Sequence, residues 1–337
     1  MKPWHPSLRE YWYVVARSRA VAAKPVAVSL LDTHVALART ASGHLIALED
    51  RCPHRHAPLS AGCVSGQRLT CPYHGWSFDG EGHLRDVPGL TPDDALPQVR
   101  VRTFATREID GLIWLRPSAM GNDEPSGITS AADLSTRRFL WQTRLPGNIV
   151  DAMENHLDPL HTHFIHSGLV RSRNRRVPTT ASFQRTPDGF TVDYRGTPMQ
   201  SGWLYRLFES ERVVERAHFS AAGSTRLEYA YANGRRILID LHFTPISTDT
   251  TDVFVALHVH GHWAPAWLIR MLAGPLLKRV NHQDAAILRL QAQNKRRFED
   301  RRGASTDLDI VRSALEQFWN DGCLPPVGEQ RVVNMML

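Results

Sequence analysis

Arg51-Cys52-Pro53-His54, followed sixteen residues later by Cys71-Pro72-Tyr73-His74-Gly75-Trp76, is the stretch on which the reading of this 337-residue chain turns. Each half offers one thiolate and one imidazole. Two Cys and two His are enough for a tetrahedral zinc site. The surroundings argue against zinc: each half is C-P-(x)-H, the second runs into Gly75-Trp76, and strand-like sequence flanks both. A [2Fe–2S] cluster with two Cys on one iron and two His on the other needs two such loops, each supplying one of each.

The order C-x-H then C-x-x-H, set among Arg51, Pro72, Gly75 and Trp76, resembles the Rieske motif. By that resemblance Cys52, His54, Cys71 and His74 hold the cluster. Rieske proteins of respiratory complexes carry a further Cys in each loop, and the two form a disulfide. Ala57 and Tyr73 stand at those places, so the chain resembles the oxygenase or ferredoxin kind. Cys63 and Cys323 match no motif, and Cys63 reads as a small buried apolar residue.

The apolar fraction of 42% is ordinary and leaves room for a packed core. Trp4, Tyr11 and Trp12 lie among charges near the start, with no continuous apolar run of the signal-peptide kind. No stretch reaches the roughly 20 apolar residues of a membrane span. Four cysteines are too few for a disulfide scaffold. The expectation is a cytoplasmic, soluble protein. The net charge of +6 concentrates at Arg171, Arg173, Arg175 and Arg176, and at Lys295, Arg296, Arg297, Arg301 and Arg302. No nucleic-acid module accompanies it. A solvated face and a docking patch for an acidic electron-transfer partner are the readings kept.

Short strands separated by turns run from Trp12 to about Arg116, among them the segments starting at Val26, His34, His44 and Gly111, with a tight turn expected at Asp32 and Thr33. The polar stretch Pro117 to Ala132 is the expected boundary, giving residues 1–118 and 119–337 as domains. Beyond it a helix is expected over Asn148 to His166, strands from about Ser182, a hairpin at Asn233-Gly234, and a helix from Trp267 to about Phe298 with Leu268, Met271, Leu272, Leu276 and Val280 on one side. A long helix across an antiparallel sheet would enclose a pocket.

Glu154-Asn-His-Leu-Asp-Pro-Leu-His-Thr-His-Phe-Ile-His166 is dense in ligand types. Iron that activates dioxygen prefers two His and one carboxylate on one face. Spacing alone does not choose among His156, His161, His163 and His166. On a straight helix His161 and His166 differ by roughly 140°, so both reach one ion only if the helix breaks between them.

Asn155-x-x-Asp158-x-x-His161-x-x-x-x-His166 resembles the mononuclear iron motif of the Rieske non-haem iron oxygenases. That resemblance implies His161 and His166 as iron ligands, Asp158 as the carboxylate linking this site to a neighbouring subunit's Rieske histidine, and Asn155 as a polar neighbour. It places the third ligand on the C-terminal helix, where Asp284 of Asn281-His-Gln-Asp284 is the choice and Glu299 and Asp300 are weaker candidates. His258, His260 and His262 alternate, so they share one strand face. They are expected to line the substrate cavity.

The resemblance covers essentially the whole chain and implies an α+β protein: an N-terminal all-β Rieske domain followed by a helix-grip (START-like) catalytic domain with an antiparallel sheet and long C-terminal helix. It implies a [2Fe–2S] cluster, one Fe(II), dioxygen, and electrons from NAD(P)H through a reductase with or without a ferredoxin. It further implies a head-to-tail homotrimer and a small aromatic or heterocyclic substrate. The compact chain resembles the short monooxygenase branch, hence oxidative demethylation first and ring hydroxylation second. A plain Rieske electron carrier or a ligand-binding protein are the readings from other classes. Neither needs both ligand sets.

Overall fold

The computed structural model describes residues 4–118, 124–125, 137–196, 210–221, 223–261, 265–298 and 303–337. The chain divides into two compact units, Arg9–Ser126 and Met1–Leu8 with Gly127–Leu337. Glu299, Asp300, Arg301 and Arg302 lie outside the described residues, as does His262.

The first unit is all-β. Its strands are β1 (Tyr13–Arg17), β2 (Val26–Leu30), β3 (Thr33–Arg39), β4 (Leu45–Glu49), β5 (Cys63–Ser65), β6 (Arg68–Thr70), β7 (Ser77–Phe78), β8 (Leu84–Asp86), β9 (Ala105–Ile109) and β10 (Leu112–Arg116). They form three antiparallel sheets, β1-β10-β9, β2-β3-β4 and β5-β6-β7-β8. The β2–β3 turn falls one residue earlier than expected, at Leu31 and Asp32. Both take positive φ, 51° and 57°, while Thr33 already pairs with Leu30. A two-residue hairpin with both φ positive ordinarily uses Asn-Gly. Leu31 accepts the strain because its side chain is wholly buried. Cys63, expected to be buried, is exposed, because β5 is a short edge strand with its thiol side outward.

The second unit is built on an eight-stranded antiparallel sheet. In chain order it comprises β11 (Arg137–Leu145), α1 (Ile149–Leu157), β12 (Pro178–Thr186), β13 (Gly189–Arg195), β14 (Arg212–Ser220), β15 (Ser224–Tyr231), β16 (Arg236–Ser247), β17 (Thr250–His260), α2 (Ala266–Arg297), α3 (Arg312–Asp321) and β18 (Gln330–Met336). The strand order is β11-β17-β16-β15-β14-β13-β12-β18. Asn233 and Gly234, the latter at φ 78°, turn β15 into β16. The chain is therefore α+β.

α1 starts at a reciprocal cap: Asn148 Oδ1 accepts from the Asp151 amide at 2.8 Å, and Asn148 Nδ2 donates to Asp151 Oδ2 at 2.7 Å. Asp151, buried, also binds Lys295 of α2 and Arg312 of α3, at 2.7 and 2.8 Å. α2 has 32 residues yet buries fully only Asp284 and Leu288. Leu276 and Val280 of its expected apolar side are half-buried, but Met271 and Leu272 are exposed. Among the described residues no helix is long and apolar enough to cross a membrane.

Candidate metal centres and cavity

The two cysteine loops of the first unit repeat one design. The Cys52 amide donates to the Ala57 carbonyl (2.9 Å) and the His56 amide to the Cys52 carbonyl (2.8 Å). In the second loop the Cys71 amide donates to Trp76 (2.8 Å) and the Gly75 amide to Cys71 (3.2 Å). Both closed turns take positive φ at the fourth residue after the cysteine, His56 at 60° and Gly75 at 75°. A side chain at residue 75 would put its Cβ 2.7 Å from Pro88 Cγ, which glycine avoids. Asp50 anchors the first loop, accepting from the Ser60 amide and hydroxyl at 2.7 and 2.6 Å.

Cys52 and Cys71 are free thiols buried in the core of this unit beside Leu48, Leu69 and Phe78. Burial pushes the Cys52 thiol up, and Cys71 beside it adds to the rise. The imidazoles lie outward: His54 is half-buried, His74 exposed, with centroids 4.6 Å apart. His54 stacks on Trp76 at 4.6 Å and 6°. Its Nδ1 is buried without a hydrogen-bond partner. Two buried thiols side by side, plus a buried imidazole nitrogen left unsatisfied, are the donor chemistry a cationic iron–sulfur group would complete.

In the second unit α1 stops at Leu157 rather than running on to His166. Asp158 precedes Pro159 and takes ψ 115°, since the proline ring disfavours helical geometry in the residue before it. Asp158 Oδ1 then accepts from the Leu160 amide at 2.9 Å and opens a 3-10 turn, Leu160–His163. That turn carries His161 and ends before His166, so the two imidazoles meet, centroids 5.2 Å apart at 79°. Asp284 reaches them from α2: its Oδ1 lies 3.0 Å from His166 Nε2 and 3.7 Å from His161 Nε2. The three donor atoms all fall within 4.8 Å of one another.

Both imidazoles are held from behind. His161 Nδ1 donates to the Asp158 carbonyl at 2.6 Å, and His166 Nδ1 lies 3.0 Å from Gln283 Oε1. With Nδ1 protonated, each Nε2 presents a lone pair. Asp284 Oδ1 is buried and has no hydrogen-bond donor. Acceptors therefore converge on one point, which a proton or a metal cation must occupy, and the set of two His and one carboxylate fits ferrous iron. Burial alone would raise Asp284; the imidazoles facing it, His166 first and then His156 and His161, outweigh burial and hold the carboxyl below its usual range. Burial lowers His161 to about 4, with Asp284 opposing. His166 rises in spite of its burial, through Asp284 and Gln283. Asp158 is pushed up to about 6, chiefly by burial, with Glu154 and Asp309 adding to it. Asn155 Oδ1 is buried without a partner.

The triad lies in the wall of a cavity of about 1090 Å³ counted out to its open mouth. Trp141, Tyr194, Tyr229, Leu241 and Val255 from the sheet and Val280 from α2 give it an aromatic and aliphatic lining, with Asn155, His156 and Asp158 beside the triad. The three aromatics carry no sequence signal beyond strand alternation. His163 is buried, its Nδ1 donating to the Ser172 carbonyl at 2.8 Å. Neither His258 nor His260 lines this cavity. His258 is buried with its Nε2 3.2 Å from Asp240 Oδ2, so its side chain faces that carboxylate instead of the cavity. Arg171 is not on a solvated face: it is buried and bonds Glu215 Oε1 at 2.7 Å, with Arg212 on the other oxygen at 2.8 Å.

Residues 11–105 match the Rieske [2Fe-2S] domain, and residues 148–315 match the vanillate O-demethylase oxygenase C-terminal domain. With both in this order, the chain belongs to the Rieske non-haem iron oxygenases. It is 32% identical over 196 residues to methylxanthine N1-demethylase NdmA of Pseudomonas putida, covering 56% of this chain and 55% of that one. It is 34% identical over 165 residues to the oxygenase component of dicamba O-demethylase of Stenotrophomonas maltophilia, covering 47% and 48%. The chain thus spans about half the length of these relatives. The crystal structure of dicamba monooxygenase bound to dicamba shares the fold, with a TM-score of 0.77 at 21% identity over 93% of this chain and 97% of that one.

Proposed function

We propose that the protein is the oxygenase component of a multicomponent Rieske monooxygenase that demethylates a small aromatic or heterocyclic compound. The observation that carries this is the convergence of His161, His166 and Asp284, with an unsatisfied carboxylate oxygen, in the wall of an aromatic cavity in a chain that also has the two cysteine loops. Cys52, His54, Cys71 and His74 hold the cluster, and the triad holds Fe(II). When bound, the two groups supply stored electrons and a site for dioxygen.

The chain's residues do the positioning. The Asp158 carbonyl and Gln283 orient the two imidazoles. Trp141, Tyr229 and Val280 seat a planar ring and exclude water, so that a methyl group faces the triad. Asp158, with Asn155 behind it, is the link to the cluster of a neighbouring subunit in a head-to-tail homotrimer, a heterologous contact that closes into a ring. For a methoxy substrate the balance is R–OCH₃ + O₂ + 2e⁻ + 2H⁺ → R–OH + HCHO + H₂O, with NAD(P)H as reductant through a reductase or ferredoxin. A cytoplasmic location, where NAD(P)H is available, fits this need. The demethylase names of the relatives support demethylation over ring hydroxylation.

Electron paramagnetic resonance on anaerobic, dithionite-reduced protein exposed to nitric oxide tests the reading. A Rieske signal together with a ferrous-nitrosyl signal is expected, followed by formaldehyde release in screens of methoxy- and N-methyl-aromatics. A Rieske signal alone, with Fe(II) supplied, would leave an electron carrier. Hydroxylated rings without formaldehyde would replace demethylation by ring hydroxylation.

A further inference from the structure

His166 is gripped by two consecutive residues of α2. Gln283 Oε1 lies 3.0 Å from its Nδ1, and Asp284 Oδ1 lies 3.0 Å from its Nε2. Successive helix residues point about 100° apart, so only a ring wedged against the helix is reached by both. The imidazole is buried, and Gln283 joins it across 117 positions of sequence.

The two histidines of the triad are not held alike. His161 donates to a main-chain carbonyl. A carbonyl can only accept, so the backbone alone fixes Nδ1–H and leaves the Nε2 lone pair. His166 faces an amide, which accepts through its oxygen and donates through its nitrogen. Were the nitrogen turned to His166, Nδ1 would be the acceptor, Nε2 would carry the proton, and a metal could not bind there. The tautomer of His166 therefore depends on how Gln283 lies.

We propose that Gln283 is a positioning residue: its Oε1 holds the Nδ1 proton of His166, keeps the Nε2 lone pair free for metal, and fixes the ring plane toward Asp284. This rests on reading His161, His166 and Asp284 as the iron triad. Metal-bound histidines in general donate their other N–H to an acceptor, and loss of that acceptor typically lowers metal affinity about 10–100-fold.

The test uses the full-length protein with its Rieske cluster intact and its mononuclear site emptied by chelator, titrated anaerobically with Fe(II). Gln283→Met removes the acceptor at similar size, while Gln283→Glu keeps an acceptor that cannot donate. Gln283→Met is expected to weaken Fe(II) binding about 10-fold or more and to broaden the nitric-oxide signal. Gln283→Glu is expected to stay within about 3-fold of wild type, since its carboxylate accepts at least as well. Wild-type affinity in Gln283→Met would overturn the proposal. So would an equal loss in Gln283→Glu, which would mean that only packing had changed. His161→Ala is the control. If it binds Fe(II) as wild type does, the triad reading fails; if it loses binding while Gln283→Met keeps it, only the role of Gln283 fails.

Discussion

The two metal-site candidates are built on opposite plans. The cysteine loops close on themselves: within each, two main-chain hydrogen bonds join residues four and five positions apart. In the triad each histidine closes a turn of its own, the Ile165 amide donating to His161 at 2.9 Å and the Val170 amide to His166 at 3.0 Å, but no main-chain bond within one loop joins all three donors. His161 sits on a 3-10 turn, His166 beyond it, and Asp284 on a helix 123 residues after His161. Strain in the loops is paid locally, at His56 and Gly75. The triad instead relies on α2 lying where it does. The difference teaches that the two sites should fail separately, each by its own kind of damage.

Removing one donor from each site gives the largest expected effects. Asp284→Ala should cut Fe(II) binding at the triad by more than the roughly 10–100-fold typical when a residue that only hydrogen-bonds a ligating histidine is lost, since a ligand itself is gone. The visible absorbance of the Rieske cluster should be unchanged. Cys71→Ser should do the reverse. Metal analysis with absorbance on both variants decides it; an Asp284→Ala protein that also lost its cluster would show the sites to be one cooperative structure.

Gly75→Ala probes the local plan more gently. It asks for φ 75° with a Cβ and pushes that atom against Pro88. A cost of about 2–3 kcal/mol is expected. It should appear as a lower melting temperature and faster bleaching of the cluster under chelator, with triad iron retained. Unchanged bleaching would mean that the second loop does not need its left-handed residue.

The same contrast explains what could be read in the residues alone. Cys52 to His54 and Cys71 to His74 are legible because donors and turn residues are neighbours in sequence, so local spacing states the geometry. Spacing leaves His156 and His163 open beside His161 and His166, and only the motif's resemblance selects the pair; the path between the two is not legible, because the 3-10 turn Leu160–His163 that carries His161 and stops before His166 is set by tertiary packing. Trp141, Tyr194 and Tyr229 could not be found, because which strand face lines a cavity follows from sheet order. Arg171 reads as part of a solvated basic run because its partner, Glu215, lies on β14, 44 positions away. His258 failed for the same reason: its partner Asp240 is set by the β16–β17 register.

Asp240 is the natural counterpart of Asp284, a second buried carboxylate beside a histidine. Arg226 saturates it with bonds of 2.6 and 2.9 Å, and His258 stands at 3.2 Å. Asp284 has an oxygen with no donor at all. A saturated carboxylate is structural, and an unsatisfied one awaits a cation. Asp240→Asn should therefore cost about 1–2 kcal/mol of stability and no iron. Burial would raise Asp240, but Arg226 and His258 outweigh it and lower its pKa. A carboxyl lowered on folding adds stability that is present above its unfolded value, about 3.9, and lost as pH falls through the folded value. The melting-temperature gap between wild type and Asp240→Asn should thus be full near pH 5–7 and close below about pH 4. A gap that stayed constant into acid would mean that Asp240 contributes through packing, and the contrast between a saturated and an unsatisfied carboxylate would lose its electrostatic basis.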